Sequence, residues 1–183
     1  MSEDGTQEIT SRGPSHTGEL WCKGHNIMKG YWGNPKATAE TLTPDGWLKT
    51  GDIAYVDDAG KFFIVDRKKE LIKVKGNQVA PAELEALLLE HPAVADVAVI
   101  GMPTEDGDEA PRAFVVRQPD QKSQSVTKDE IAKFVESKVT RFKRLAGGVE
   151  WIEVIPKNPS GKILRRQLRD DAKKRLQGQQ ARL

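Results

Sequence analysis

The sequence is poor in the residues that build stapled, metal-holding or membrane-spanning proteins. Its 183 residues include one cysteine, Cys22, so neither a disulfide framework nor a cysteine-rich zinc site can be assembled. The three histidines, His16, His25 and His91, lack the paired spacing of metal-binding helices. Long apolar runs are missing too. Stretches such as Val97 to Ile100 fall far short of a bilayer's thickness. Met1 to Thr10 are acidic and polar, unlike a secretory or transit leader. Asn158 is followed by Pro159, which removes a glycosylation acceptor. These absences predict an intracellular protein.

What is present is an ordinary globular composition. Hydrophobic residues make up 37% and charged residues 31%, which places the chain in neither the disordered nor the membrane class. The 29 Lys and Arg nearly cancel 27 Asp and Glu, but the bases are clustered. Arg67, Lys68, Lys69, Lys73 and Lys75 crowd one short segment. Lys162, Arg165, Arg166, Arg169, Lys173, Lys174, Arg175 and Arg182 crowd the C-terminal stretch. Such clusters suit phosphates, CoA, nucleic acid or a membrane surface, and equally form solvated helix faces.

Residues 1–17 lack periodicity and read as a loop or frayed end. Residues 18–65 read as β-rich, with a strand at Gly18 to Cys22 and turns at Thr43 to Gly46 and Asp57 to Gly60. The second turn lies between strand-like runs at 53–56 and 61–65. From 66 to 176 a compact α+β domain is expected. It begins with a strand at Leu71 to Val74 and a turn at Gly76. A helix follows from Pro81, striped by Leu84, Leu87 and Leu88 and ended by Pro92. Strands are expected at 94–100, 112–117 and 151–155. Thr127 and Glu130 form a candidate capping box ahead of Ile131, Phe134, Val135 and Val139. A last helix carries Leu164, Leu168 and Ala172, and 177–183 is a polar tail. The expected fold class is therefore α+β, with a short mixed or antiparallel sheet and about three helices behind a β-rich remnant of a larger domain.

Three segments carry candidate chemistry. In Pro156 to Arg166, Gly161 frees the backbone beside Lys162, which reads as a point charge for phosphate on a short arm with a mobile base. Pro156 stands where a Walker loop requires glycine. In Gly46 to Asp52, an acid beside a glycine turn can accept the two hydroxyls of a ribose, or simply cap the turn. In Asp66 to Gly76, Lys73 and Lys75 are spaced to share a strand face with Leu71, as a lysine-protected edge strand would be.

Taken in order, these segments resemble the adenylate-forming superfamily of acyl-CoA synthetases, aryl-CoA ligases, luciferases and peptide-synthetase adenylation domains. Gly18-Glu19-Leu20, Gly24 and Gly30-Tyr31 extend the match upstream, and the wording of 66–83 and 156–166 is similar to the 4-coumarate–CoA ligase-like and luciferase-like branch. The resemblance covers roughly 18 to 176. It implies that 18–65 ends a large N-terminal adenylating domain and that 66–176 is its small C-terminal lid. It further implies ribose binding by Asp52, nucleotide contact by Arg67, a hinge at Asp66 and an adenylation lysine at Lys162. Lys73 and Gln78 would lie on a second lid face serving the thioester step, Gly76 would form its tight turn, and basic residues there such as Lys75 would help receive CoA phosphates. ATP or AMP and CoA would be substrates of the intact enzyme, with Mg2+ arriving on ATP.

The family's Ser/Thr/Gly-rich phosphate loop, its adenine-pocket Tyr-Gly-x-Thr-Glu pattern and its acyl pocket are not found in these 183 residues. The chain is therefore expected to be the C-terminal portion of an acid–CoA ligase, inactive alone. Its partners would be the N-terminal adenylating domain and a carboxylic acid. A stand-alone lid docking on another subunit is an alternative. A basic nucleic-acid module is disfavoured because the basic runs lack interleaved aromatics. A peptide-synthetase reading is disfavoured for want of a carrier domain. Trp21, Trp32, Trp47 and Trp151 read as packing residues. Ala181-Arg182-Leu183 has the small–basic–leucine form of a peroxisomal signal, which implies an import receptor as a further partner.

Overall fold

The computed structural model describes residues 1–180 other than Glu3, with side chains to Arg175 along the last helix. The tripeptide at 181–183 lies outside the described residues. Two compact units divide the chain between Lys69 and Glu70, four residues beyond the boundary expected at Asp66.

The first unit is an antiparallel sheet of β1 (Gly18–Cys22), β2 (Leu48–Val56) and β3 (Phe62–Arg67), in that order. Asp57 closes the β2–β3 hairpin, its carboxylate accepting the Lys61 N–H at 2.8 Å. Helix α1 (Pro35–Thr41) was not legible in the sequence. Pro35 starts it and the Asn34 side chain caps it, but it buries no residue and so shows no apolar stripe. Residues 4–17 form no helix or strand, yet they are tied down: Gly13 N–H donates to the Val56 carbonyl and Arg12 to that of Asp57.

The second unit opens with a hairpin of β4 (Ile72–Val74) and β5 (Asn77–Val79), followed by α2 (Pro81–Leu89). Strands β6 (Val94–Pro103) and β7 (Glu109–Arg117) pair antiparallel. After α3 (Gln121–Ser125), α4 (Lys128–Glu136) and a 3-10 turn at Arg141–Lys143, β8 (Val149–Trp151) joins β7 in parallel. Helix α5 (Arg165–Gln180) ends the described chain. The unit is thus α+β with a small mixed sheet, as expected.

Alternation along β6 builds two cores. Val97 and Val99 pack with Leu84, Leu88, Ile131 and Val135 of α2 and α4. Ala98, Ile100 and Met102 pack on the other face with Leu168 and Ala172 of α5. Burial on both faces explains the unbroken apolar run in this strand. The α4 start is a full capping box, with Thr127 accepting from the Glu130 N–H and Glu130 from that of Thr127.

Several boundaries differ from expectation. Helix α4 ends at Glu136, so Val139 packs on the core from beyond it. Leu164 precedes α5, accepting the Leu168 N–H. The predicted strand at 151–155 is instead Val149–Trp151, with contact to β7 ending at the Ile152 N–H, which donates to the Val115 carbonyl. Trp32 is not a packing residue: its side chain is fully exposed, whereas Trp151 packs beside the α2–α4 core beneath Arg117.

Candidate functional site

In the first unit, Asp52 and Arg67 stand opposite each other across β2 and β3, with Arg67 Nε 2.7 Å from an Asp52 carboxylate oxygen. They meet as register partners of the β2–β3 ladder, and on its other edge β2 bulges against β1. Between the pairs Glu19–Ile53 and Trp21–Lys49, three residues of β2 (Thr50, Gly51 and Asp52) face Leu20 alone. Gly51 turns the bulge at φ 73°, a backbone conformation that a side chain would strain. Asp52 therefore sits within a strand beside a glycine bulge, rather than on the free turn the sequence suggested. Asp66 uses a carboxylate oxygen to accept the Arg67 N–H at 2.7 Å. A partly exposed pair of this kind contributes about 0–1 kcal/mol, so a ligand offering hydroxyls and a phosphate can compete for both partners.

Beneath the pair lies Glu19, which sequence reasoning quoted within a motif but assigned no role. It is 5% exposed. One carboxylate oxygen accepts the Gly51 N–H at 3.2 Å and the other meets Lys68 Nζ at 2.9 Å. Burial acts to raise this carboxyl, but the Lys68 ammonium, then the nearby Trp21 indole N–H and the Gly51 N–H, outweigh it and hold it below the usual glutamate value.

In the second unit, Lys162 projects from a hydrogen-bonded hairpin rather than from a mobile base. Asn158 Oδ1 accepts from the N–H of Ser160 and of Lys162, and a bridge joins Lys157 to Ile163. Gly161, at φ 82°, supplies the turn. The Lys162 side chain is about half exposed, with Nζ 3.5 Å from Glu70. That distance and exposure make the contact weak and easily given up. Just beyond, Arg165 is clamped at 2.7 Å to Glu70 and at 2.8 Å to Glu85, all three largely buried. Glu85 also accepts the Val99 N–H. The clamp fixes the start of α5, and with it the Lys162 loop, against β6 and the segment just past Lys69. Glu70 and Arg165 both lay within motifs, but their pairing across the chain left no local signal.

The β4–β5 hairpin pairs Lys73 directly with Gln78, both exposed. Lys75 does not share their strand. It sits at φ 48° with Gly76 at φ 77°, forming the two-residue turn of a tight hairpin. Leu71 is also off the expected exposed face and is buried. Two carboxylates hold the hairpin backbone: Glu109 accepts the Lys73 N–H at 2.9 Å and Asp108 accepts that of Lys75. Among the described residues no three His, Cys, Asp or Glu side chains gather to hold a metal ion, and no helix is long and apolar enough to cross a membrane.

Residues 83–162 match the AMP-binding enzyme C-terminal domain family. The chain is 53% identical over 156 residues to peroxisomal OPC-8:0-CoA ligase 1 of Arabidopsis thaliana, covering 85% of this chain and 28% of that protein. It is 54% identical over 155 residues to a 4-coumarate–CoA ligase of Vanilla planifolia, covering 85% and 27%. Among solved structures, ATP-bound MatB from Rhodopseudomonas palustris superposes with a TM-score of 0.81 at 30% identity, over 91% of this chain and 32% of that one. The o-succinylbenzoate CoA synthetase of Bacillus subtilis, solved with its acyl-adenylate, gives 0.72 at 34% identity, over 85% and 31%. The chain thus spans less than a third of the length of these relatives.

Proposed function

We infer, for a chain whose residues 83–162 belong to the AMP-binding enzyme C-terminal domain family, that it forms the C-terminal part of an ATP-dependent acid–CoA ligase. The intact enzyme would join a carboxylic acid to AMP with release of pyrophosphate, then pass the acyl group to the CoA thiol. The observation carrying this reading is the identity above 50% to CoA ligases across most of the chain, motif segments included.

The residues divide the work. Asp52 accepts the ribose hydroxyls and Arg67 contacts the nucleotide. Lys162 bridges the carboxylate and the α-phosphate, offsetting charge where two anions meet. Its weak hold on Glu70 is what such a role requires, since a deeply paired lysine would have to break a costly contact first. Lys73 and Gln78 serve the thioester step, and Lys75 with Gly76 receives CoA phosphates. Asp66, just ahead of the division between the units, is the hinge that exchanges the two lid faces. Mg2+ would arrive on the triphosphate.

The test is a chimera in which residues 18–176 replace the matching segment of a 4-coumarate–CoA ligase. Lys162→Ala is expected to slow adenylation, followed by pyrophosphate release, by at least about a hundredfold. Thioester formation from preformed adenylate should stay within about threefold, the range left when a residue is not used in a step. Equal loss in both half-reactions overturns the division of roles. An inactive parent chimera overturns the ligase reading.

The peroxisomal reading rests on the form of Ala181-Arg182-Leu183 and on the peroxisomal name of one relative. Residues 177–183 fused to the C-terminus of a fluorescent protein should bring it to peroxisomes, and Leu183→Asp should leave it in the cytosol. A diffuse wild-type fusion rejects the signal.

A further inference from the structure

We propose that Glu19 is a positioning residue for the nucleotide site, its buried carboxylate pinning the backbone on both sides of the Asp52–Arg67 pair. This rests on the reading of that pair as the ribose and nucleotide contact.

The argument begins with sequence neighbours. Gly51 directly precedes Asp52, and Lys68 directly follows Arg67. Glu19 binds both, accepting the Gly51 N–H with one oxygen and the Lys68 ammonium with the other. The Lys68 N–H donates to the Gly51 carbonyl at 2.7 Å, which closes a ring of contacts through all three residues. Thr50 of β2 completes the frame by reaching β1. Its hydroxyl donates to the Leu20 carbonyl at 2.7 Å and accepts the Asp52 N–H at 3.0 Å. The β2 bulge that aims Asp52 is therefore held by β1, with Glu19 at its centre.

The chemistry asks for a carboxylate. Only an ionised acid accepts on both oxygens; an amide of the same shape would turn an NH2 toward the Lys68 ammonium. A fold needing only filler at this depth would be served better by an apolar side chain, because burying a charge is costly. Lys68 is 37% exposed and does not itself demand a buried partner. What the acid adds is a fixed spacing between β1, the bulge and the end of β3.

The experiment uses the isotopically labelled chain of 183 residues and follows the Arg67 Nε–H resonance, which reports the pair with Asp52. In Glu19→Gln its exchange with water is expected to quicken by about tenfold or more, the loss equivalent to one charge-assisted hydrogen bond. In the chimera of residues 18–176 with a 4-coumarate–CoA ligase, which restores the missing phosphate loop and adenine pocket, AMP should shift this resonance more than 2′,3′-dideoxy-AMP does. In Glu19→Gln the two nucleotides should act alike. Lys68→Met, which cuts the same ring at a partly exposed side chain, should move both readouts the same way and carries the test if Glu19→Gln fails to fold. Exchange within about twofold of wild type in the folded variant overturns the positioning role, since a fully spectator contact changes nothing there. If the two nucleotides are indistinguishable in the unsubstituted chimera, the ribose reading of Asp52 falls, and with it the functional half of the proposal. The exchange rates still decide whether Glu19 orders the pair.

Discussion

The two units hold their candidate site residues by different means. In the second unit, Lys162 and the Lys73–Gln78 hairpin ride on a framework with two apolar cores and many side chains sealed from water, among them Leu84, Leu88, Val99 and Ile131. In the first, only Ile53 and Ala54 are buried apolar residues among those described. Phe62, Phe63 and Ile64 of β3 are largely exposed, and the Asp52–Arg67 pair is aligned by hydrogen bonds and a buried carboxylate. Hydrophobic burial, at roughly 25 cal/mol per Å2, stabilises the second unit independently of its site chemistry. In the first, site geometry and local stability rest on the same polar contacts. Changes to charge should therefore be felt at the site in the first unit, whereas in the second, changes to volume dominate and charge matters chiefly at the Arg165 clamp.

The largest effect that could break this contrast is Leu84→Ala. It should cost the second unit about 2–5 kcal/mol, because the cavity opens where no water reaches. Ile64→Ala, at a position 57% exposed, should cost the first unit under about 1 kcal/mol. Urea unfolding read by amide exchange in each unit makes the comparison; equal costs would dissolve it. Next comes Arg165→Met, which strands Glu70 and Glu85 without their shared cation. A loss of about 2–3 kcal/mol is expected in the second unit, at the lower end for a buried pair because all three keep some exposure.

Acidification sharpens the other side. The Glu19 carboxyl lies below its ordinary value when folded. Its contribution is complete at neutral pH and is lost as pH falls through that lowered value, when protonation releases Lys68 and Gly51. Protection of the β1–β2 amides should fade over that acid range, and Glu19→Gln should remove this part of the pH dependence. The smallest expected effect is a gain. Lys75 occupies a left-handed position beside Gly76, where asparagine is at ease. Lys75→Asn should raise the thermal midpoint by stabilising the hairpin by about 0.5–1 kcal/mol. No change would mean that the Asp108 contact to the Lys75 N–H already compensates the strain.

What the sequence disclosed follows the range of the interactions involved. The Thr127–Glu130 box and the Pro81 start are written within one turn of helix, so both were legible. The β-rich character of 18–65 and the mixed sheet followed from turns and alternation. Asp52, Arg67, Lys73, Gln78 and Lys162 could be put forward as candidates because their motifs are contiguous. Glu19, Glu70, Glu85, Asp108 and Glu109 acquire their contacts from partners remote along the chain, and local pattern cannot reveal that. Lys75 was misplaced for a related reason. Spacing by two puts residues on one face only while the strand continues, and here it ends at Val74.

The parallel pairing of β8 with β7 also bears on how the protein is made. The β6–β7 hairpin can zip as soon as its own residues leave the ribosome, but its β7 edge must wait for α3, α4 and the 3-10 turn to emerge before Val149–Trp151 covers it. Until then a row of backbone donors and acceptors stands open in the nascent chain, the interval in which a chaperone would be of most use.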